Sequence, residues 1–186
     1  SNGYATGMVG KWHLGHLPEH LPPNHGFEEY LGLPYSNDML PAPDSPKGRE
    51  RFFAERTDYW QTPLIDGTRI VDRVPDQRQL TRQYTERAVR FIRQHKRSPF
   101  FLYFAPGATH APLQAPPAWI EKYRGHFDAG WDAIRPQILV RQKQLGVVPA
   151  NTDLTPRPAG LPAWDSLSAD ERTIAARLME VYAGFL

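Results

Sequence analysis

The stretch from Leu80 to Ala105 constrains the fold most. Leu80, Tyr84, Ala88, Phe91 and Ile92 repeat at helical spacing, which predicts an amphipathic helix from Leu80 to about Gln94. Pro99-Phe100-Phe101-Leu102-Tyr103-Phe104-Ala105 follows almost at once as a continuous apolar run. Its length and aromatic content predict a strand buried on both faces, as in a parallel sheet. A helix leading into a buried strand is the unit of an α/β sheet, so the fold class predicted here is α/β. At 186 residues the chain is long enough to bury a real core.

The rest of the chain arranges around that unit. Residues 4–12 read as a strand whose glycines allow close backbone approach. Residues 13–26 form a Gly/Pro/His loop, and 27–35 contain a short strand. The polar, aperiodic stretch from about 36 to 62 is expected to be an extended surface excursion, and Ile70-Val71 a further short strand. Helical segments are expected at 117–124 and 129–145. Of the 19 prolines, many fall in 18–46 and 149–162, marking loops and connectors, because each fixes φ and removes a backbone donor. Ser168-Ala169-Asp170-Glu171 is a capping box opening a last helix over 168–186. Its apolar stripe, Ile174, Leu178, Val181, Tyr182 and Phe185, is still running at Leu186. With no initiator Met at Ser1, we expect both ends to lie inside a larger domain.

Charge excludes some partners. The 22 basic and 20 acidic side chains are spread along the chain, with no Lys/Arg run able to track a phosphate backbone, so no nucleic acid is expected. No run of about 18 apolar residues exists, so no membrane span is expected. Cysteine is absent, which rules out a disulfide.

Three places carry candidate chemistry. If residues 8–13 are extended, Lys11 and His13 project from one face and Trp12 from the other. An ammonium and an imidazole would then converge on a volume suited to an anion, although a strand end with solvated polar residues fits the same spacing. His110, in Ala108-Thr109-His110-Ala111-Pro112, lies just beyond the apolar strand, where open α/β sheets bind ligands. It is either an acid–base group or a turn residue tied to a local carbonyl. The cluster His13, His16, His20 and His25 invites a zinc reading, but no cysteine or fixed ligand spacing accompanies it, and the proline-rich loop is the stronger reading.

Together these segments resemble the sulfatase family. Gly3-Tyr4-Ala5-Thr6-Gly7-Met8-Val9-Gly10-Lys11-Trp12-His13-Leu14-Gly15 is similar to its signature G-Y-x-T-x-x-x-G-K-W-H-L-G. Asn24-His25-Gly26-Phe27 and Gly32-Leu33-Pro34-Tyr35-Ser36-Asn37-Asp38 resemble its N-x-G-F-D and G-x-P-Y-S-x-D segments. Pro99–Tyr103 with His110-Ala111-Pro112-Leu113-Gln114-Ala115-Pro116 resembles its F-F-L-Y strand and H-x-P-L-Q-A-P turn. The resemblance spans roughly 3–117. It implies part of an alkaline-phosphatase-like α/β sandwich, with a mostly parallel central sheet flanked by helices. On this basis 1–186 is an incomplete catalytic domain: a motif-bearing part (3–117), a helical insert with a Pro-rich connector (117–167) and the last helix. The implied reaction is hydrolysis of a small-molecule sulfate monoester. Lys11 would neutralise sulfate oxygens, His13 would act as base on the nucleophile's second hydroxyl, and His110 would protonate or hydrogen-bond the leaving oxygen. Ser36 matches a hydroxyl that supports the site.

The family also uses a formylglycine nucleophile, made from C/S-x-P-x-R, and a calcium ion held by an early Asp pair and a late Asp-Asn. Neither C/S-x-P-x-R nor those aspartates occur here; Ser45-Pro46-Lys47 has the wrong order, and Asn37-Asp38 and Asn151-Thr152-Asp153 do not substitute. Calcium and formylglycine are therefore expected only in a full-length protein, and the chain alone is expected to be inactive. Two other readings share these motifs: a phosphodiester or phosphonate hydrolase of the same superfamily, and a non-catalytic anion-binding domain.

Overall fold

A computed structural model describes residues 2–48, 50 and 61–186. The chain divides into two compact units, Ser1–Ala115 and Pro116–Leu186.

The first unit is built on a five-stranded sheet of order β4-β3-β2-β1-β5. Its strands are β1 (Ala5–Lys11), β2 (Glu29–Leu33), β3 (Leu64–Asp66), β4 (Arg69–Asp72) and β5 (Phe100–Ala105). β1 pairs in parallel with both β2 and β5, and the hairpin β3–β4 extends the sheet antiparallel from β2. Side chains alternate along each strand, so each strand feeds two cores. Val9, Leu31, Leu33 and Leu64 face one side, where they meet Leu80 and Tyr84. Met8, Tyr30 and Ile65 face the other, where Leu21, Trp12 and Phe27 from the β1–β2 connection cover them. Burial on both sides lets β2 carry Tyr30, Leu31 and Leu33 without polar alternation.

The helix α1 (Gln77–His95) links β4 to β5 and buries Leu80, Tyr84, Ala88 and Phe91. Each large side chain so buried contributes about 1.5–3 kcal/mol. Asp76 caps the helix by accepting from the Arg78 amide at 3.1 Å. The Arg78 guanidinium, with that amide, holds the Asp76 carboxyl below the usual carboxylate range. Gly7 lies directly under Phe91, whose ring a Cβ there would meet at 2.8 Å, so α1 sits close against β1.

One expectation about the sheet needs correction. β5 is parallel to β1 as expected, but it is not buried on both faces: Phe100, Phe101, Tyr103 and Phe104 are all exposed, Phe101 by 55%. The reason is that β5 lies at the sheet edge with β1 as its neighbour, and Phe27 stacks on Phe101 and Tyr103 from one side only. The 36–62 excursion runs over the surface as expected, with Met39 and Leu40 exposed, and is anchored by the buried Ser36, Asn37, Ala42 and Thr62. The Thr62 hydroxyl reaches the carbonyls of Ser36 (3.1 Å) and Met39 (2.7 Å), which satisfies the polar groups taken out of water. Residues 49 and 51–60 of that excursion lie outside the described residues.

The second unit contains α2 (Pro117–Glu121), α3 (Gly130–Gln144) and α4 (Ala169–Phe185). The capping box forms as read: Ser168 Oγ accepts from the Glu171 amide, and Glu171 accepts from the Ser168 amide at 2.8 Å. Ile174, Leu178 and Tyr182 are exposed on α4, whereas Ala176 and Glu180 are buried. Glu180 accepts from Arg177 Nη1 and from the Gly125 amide, each at 2.7 Å. The Arg177 bond first, then the Gly125 amide, holds the Glu180 carboxyl below its ordinary value. A carboxylate depressed on folding stabilises the fold above its unfolded pKa of about 4.3 and loses that contribution as pH falls through the lower folded value. Glu180→Gln is therefore expected to destabilise the chain by about 1–2 kcal/mol at pH 7 and to lessen the further loss below about pH 4, as read by urea unfolding at the two pH values. Among the described residues no helix is long and apolar enough to cross a membrane.

Candidate anion site at the carboxyl edge of the sheet

β1 is followed by a connection to β2 on one side, whereas β5, reached through α1, lies on its other side. Because β1, β2 and β5 run parallel, their carboxyl ends share one edge of the sheet, where ligands of open α/β sheets bind. The loops after β1, β2 and β5 meet there. Lys11, the last residue of β1, donates from Nζ to Ser36 Oγ at 3.2 Å. Ser36 Oγ in turn donates to Asn37 Oδ1 at 3.4 Å. Asn37 Nδ2 donates to Gln77 Oε1 (3.4 Å), and Gln77 Nε2 donates to the Asn37 carbonyl (2.7 Å). Ser36, Asn37 and Gln77 are buried, so the first residue of α1 holds in place the loop that holds the ammonium.

His110 lies in the turn after β5. Its Nδ1 is 2.6 Å from the Ala111 carbonyl oxygen and 4.0 Å from Asp38 Oδ1. The contact to the Ala111 carbonyl is the one expected of a turn residue tied to a local carbonyl. The pairs Lys11–Ser36 and Asp38–His110 connect three loops through a single short segment, 36–38.

His13 departs from its sequence reading. Extended structure ends at Lys11, and His13 has φ +64, so strand alternation does not carry through to it. Its amide donates to the Pro34 carbonyl at 3.0 Å, and its ring meets Tyr35 edge-on at 6.4 Å. His13 therefore sits beside the same 34–36 segment as Lys11, placed by a left-handed turn and not by the pleat. Trp12 points to the other face as expected, donating its indole N–H to the His20 carbonyl at 2.6 Å. The remaining histidines are engaged singly. His16 Nδ1 is 2.8 Å from the Tyr35 hydroxyl, and the His25 ring lies 5.7 Å from that of Trp12.

Sequence reasoning missed Asp38, Asn37, Gln77 and Tyr35. Ser36-Asn37-Asp38 stood inside a motif, but nothing local to Gln77 marks it, since its partner is 40 residues away. Among the described residues no three His, Cys, Asp or Glu side chains gather as a metal ion requires, and the chain has no cysteine. The described residues therefore form no complete calcium site, and the sequence holds no C/S-x-P-x-R from which a formylglycine could be made.

A mostly parallel α/β sheet thus carries a lysine and a histidine at the carboxyl ends of its parallel strands. The sulfatase family model matches residues 1–186, and the chain belongs to that family, whose fold is the alkaline-phosphatase-like α/β type. It is 34% identical to an uncharacterized sulfatase of Schizosaccharomyces pombe, over 99% of this chain and 33% of that protein. It is 31% identical to an arylsulfatase of Klebsiella aerogenes, over 99% of this chain and 38% of that one. The chain thus spans about a third of the length of these curated relatives. A solved structure of Ps i-CgsB with k-i-k-neocarrahexaose aligns with a TM-score of 0.47 at 24% identity, covering 99% of this chain and 32% of that one.

Proposed function

We propose that the protein carrying this chain hydrolyses sulfate monoesters of small molecules, and that the chain supplies the anion-holding side of the site. The observation that carries this reading is the convergence of Lys11, Ser36, Asp38 and His110 at the carboxyl ends of adjacent parallel strands. Lys11 offsets the charge of the sulfate oxygens, and it is held ready by Ser36, so little reorganisation accompanies charge movement. His110 delivers a proton or hydrogen bond to the leaving oxygen, and His13 takes up a proton on the nucleophile's side. Family membership and the similarity to an arylsulfatase support sulfate over other anions.

The chain alone is inactive in this reading, because it offers no covalent nucleophile of the family's kind. The purified chain, incubated with 4-nitrophenyl sulfate, is expected to release no nitrophenol above buffer, whereas a full-length protein containing it is expected to do so. Turnover by the chain itself, at a rate lost on His13→Ala, would overturn the inactivity claim. A full-length protein that cleaves phosphodiesters and leaves sulfate esters intact would overturn the substrate class.

A further inference from the structure

We propose that Asp38 is a positioning residue for His110, holding the ring so that Nε2 serves the leaving oxygen. The inference rests on the role given to His110 above. The first observation is chemical. A carbonyl oxygen only accepts, so the 2.6 Å contact between His110 Nδ1 and the Ala111 carbonyl requires the proton on Nδ1. Nε2 is then the nitrogen left for substrate, and it bears a proton only when the ring is cationic.

The second observation is the place of the carboxylate. Asp38 Oδ1 lies 4.0 Å from Nδ1, and the Asp38 side chain is 24% exposed. A carboxylate beside an anion site repels the anion unless it serves a cation. Here it faces the ring nitrogen that substrate does not use, so it supplies a counter-charge to the protonated ring without competing for Nε2. Asp38 follows Ser36 by two residues, so one segment sets both the ammonium and the imidazole. In the step concerned, the S–O bond to the leaving group breaks and its electron pair stays on that oxygen. The oxygen takes the Nε2 proton, while sulfur is captured by an oxygen nucleophile, water or an alcohol-type group from outside this chain.

Leaving-group dependence in the full-length enzyme tests this. Phenyl sulfate needs proton delivery, whereas 4-nitrophenyl sulfate expels a stabilised phenolate. Asp38→Asn is expected to lower kcat about 10- to 100-fold on phenyl sulfate, with a much smaller loss on 4-nitrophenyl sulfate and little change in KM. In a His110→Ala background it is expected to add nothing. Asp38→Glu, which keeps the charge, is expected to restore most of the phenyl sulfate rate, and it carries the test if Asp38→Asn folds poorly. Equal losses on both substrates, additivity with His110→Ala, or no recovery in Asp38→Glu overturns the inference. If His110→Ala shows the leaving-group dependence and Asp38→Asn does not, only Asp38 is misassigned. If His110→Ala lacks that dependence, the role of His110 fails and the inference falls with it.

Discussion

Gly10→Ala is expected to unfold the first unit or to cost it more than about 4 kcal/mol, a loss reserved for a few mechanisms. Two of them act here together. Gly10 has φ +121, a backbone conformation that residues with a Cβ rarely adopt. A Cβ there would also lie 2.0 Å from the Ala105 carbonyl oxygen, which is backbone and cannot rotate away. The rung at fault is Gly32–Gly10–Ala105, where β2, β1 and β5 draw close. A Cβ on Gly32 would in turn lie 1.8 Å from the Gly10 carbonyl oxygen. Gly67→Ala is the control: φ is +62 there too, but nothing lies within 4 Å, so only the backbone cost of about 1–2 kcal/mol applies. Urea unfolding of both variants separates steric collision from backbone preference. The collision sits one residue before Lys11, so the glycine that allows the sheet to close also sets where the ammonium emerges.

Lys11→Ala is expected to carry the largest functional loss. In a full-length enzyme kcat/KM for an aryl sulfate should fall by about 10²- to 10³-fold, the size seen when one preorganised donor is removed from a developing anion. Lys11 is preorganised by a directed series of donors: its ammonium to Ser36, Ser36 to Asn37, Asn37 to Gln77 at the start of α1. Ser36→Ala should therefore cost less, about 10-fold, because it loosens the ammonium without removing it. Lys11→Arg should not restore activity, since a planar fork presents its donors differently from a compact ammonium on the same stem.

The elements with strong local signals were legible in the sequence. α1 and β5 show themselves by a helical apolar face followed by an apolar run, and Ser168 with Glu171 marks the start of α4. His110 reads as lying just beyond the apolar strand, whereas Lys11 reads as inside an extended stretch that in the fold ends at that residue. What failed to show lacked a local signal. β3 is three residues long, too short for a period to register. The exposure of β5 depends on how many strands flank it, which an apolar run does not encode. His13 was given the pleat of β1, but a single left-handed residue after Lys11 ends the alternation. Asp38 and His110 are 72 residues apart and Asn37 and Gln77 are 40 apart, so only the folded sheet reveals those pairs.

The most direct test of the anion site is a titration of the 186-residue chain with sodium sulfate, followed by NMR at the Lys11 ammonium and the His110 ring, with sodium chloride at matched ionic strength as reference. Saturable shifts at both residues, absent with chloride and lost in Lys11→Ala, are the result expected. Shifts equal in sulfate and chloride, or saturation that persists in Lys11→Ala, would contradict the assignment of this edge of the sheet as the sulfate-holding side of the site.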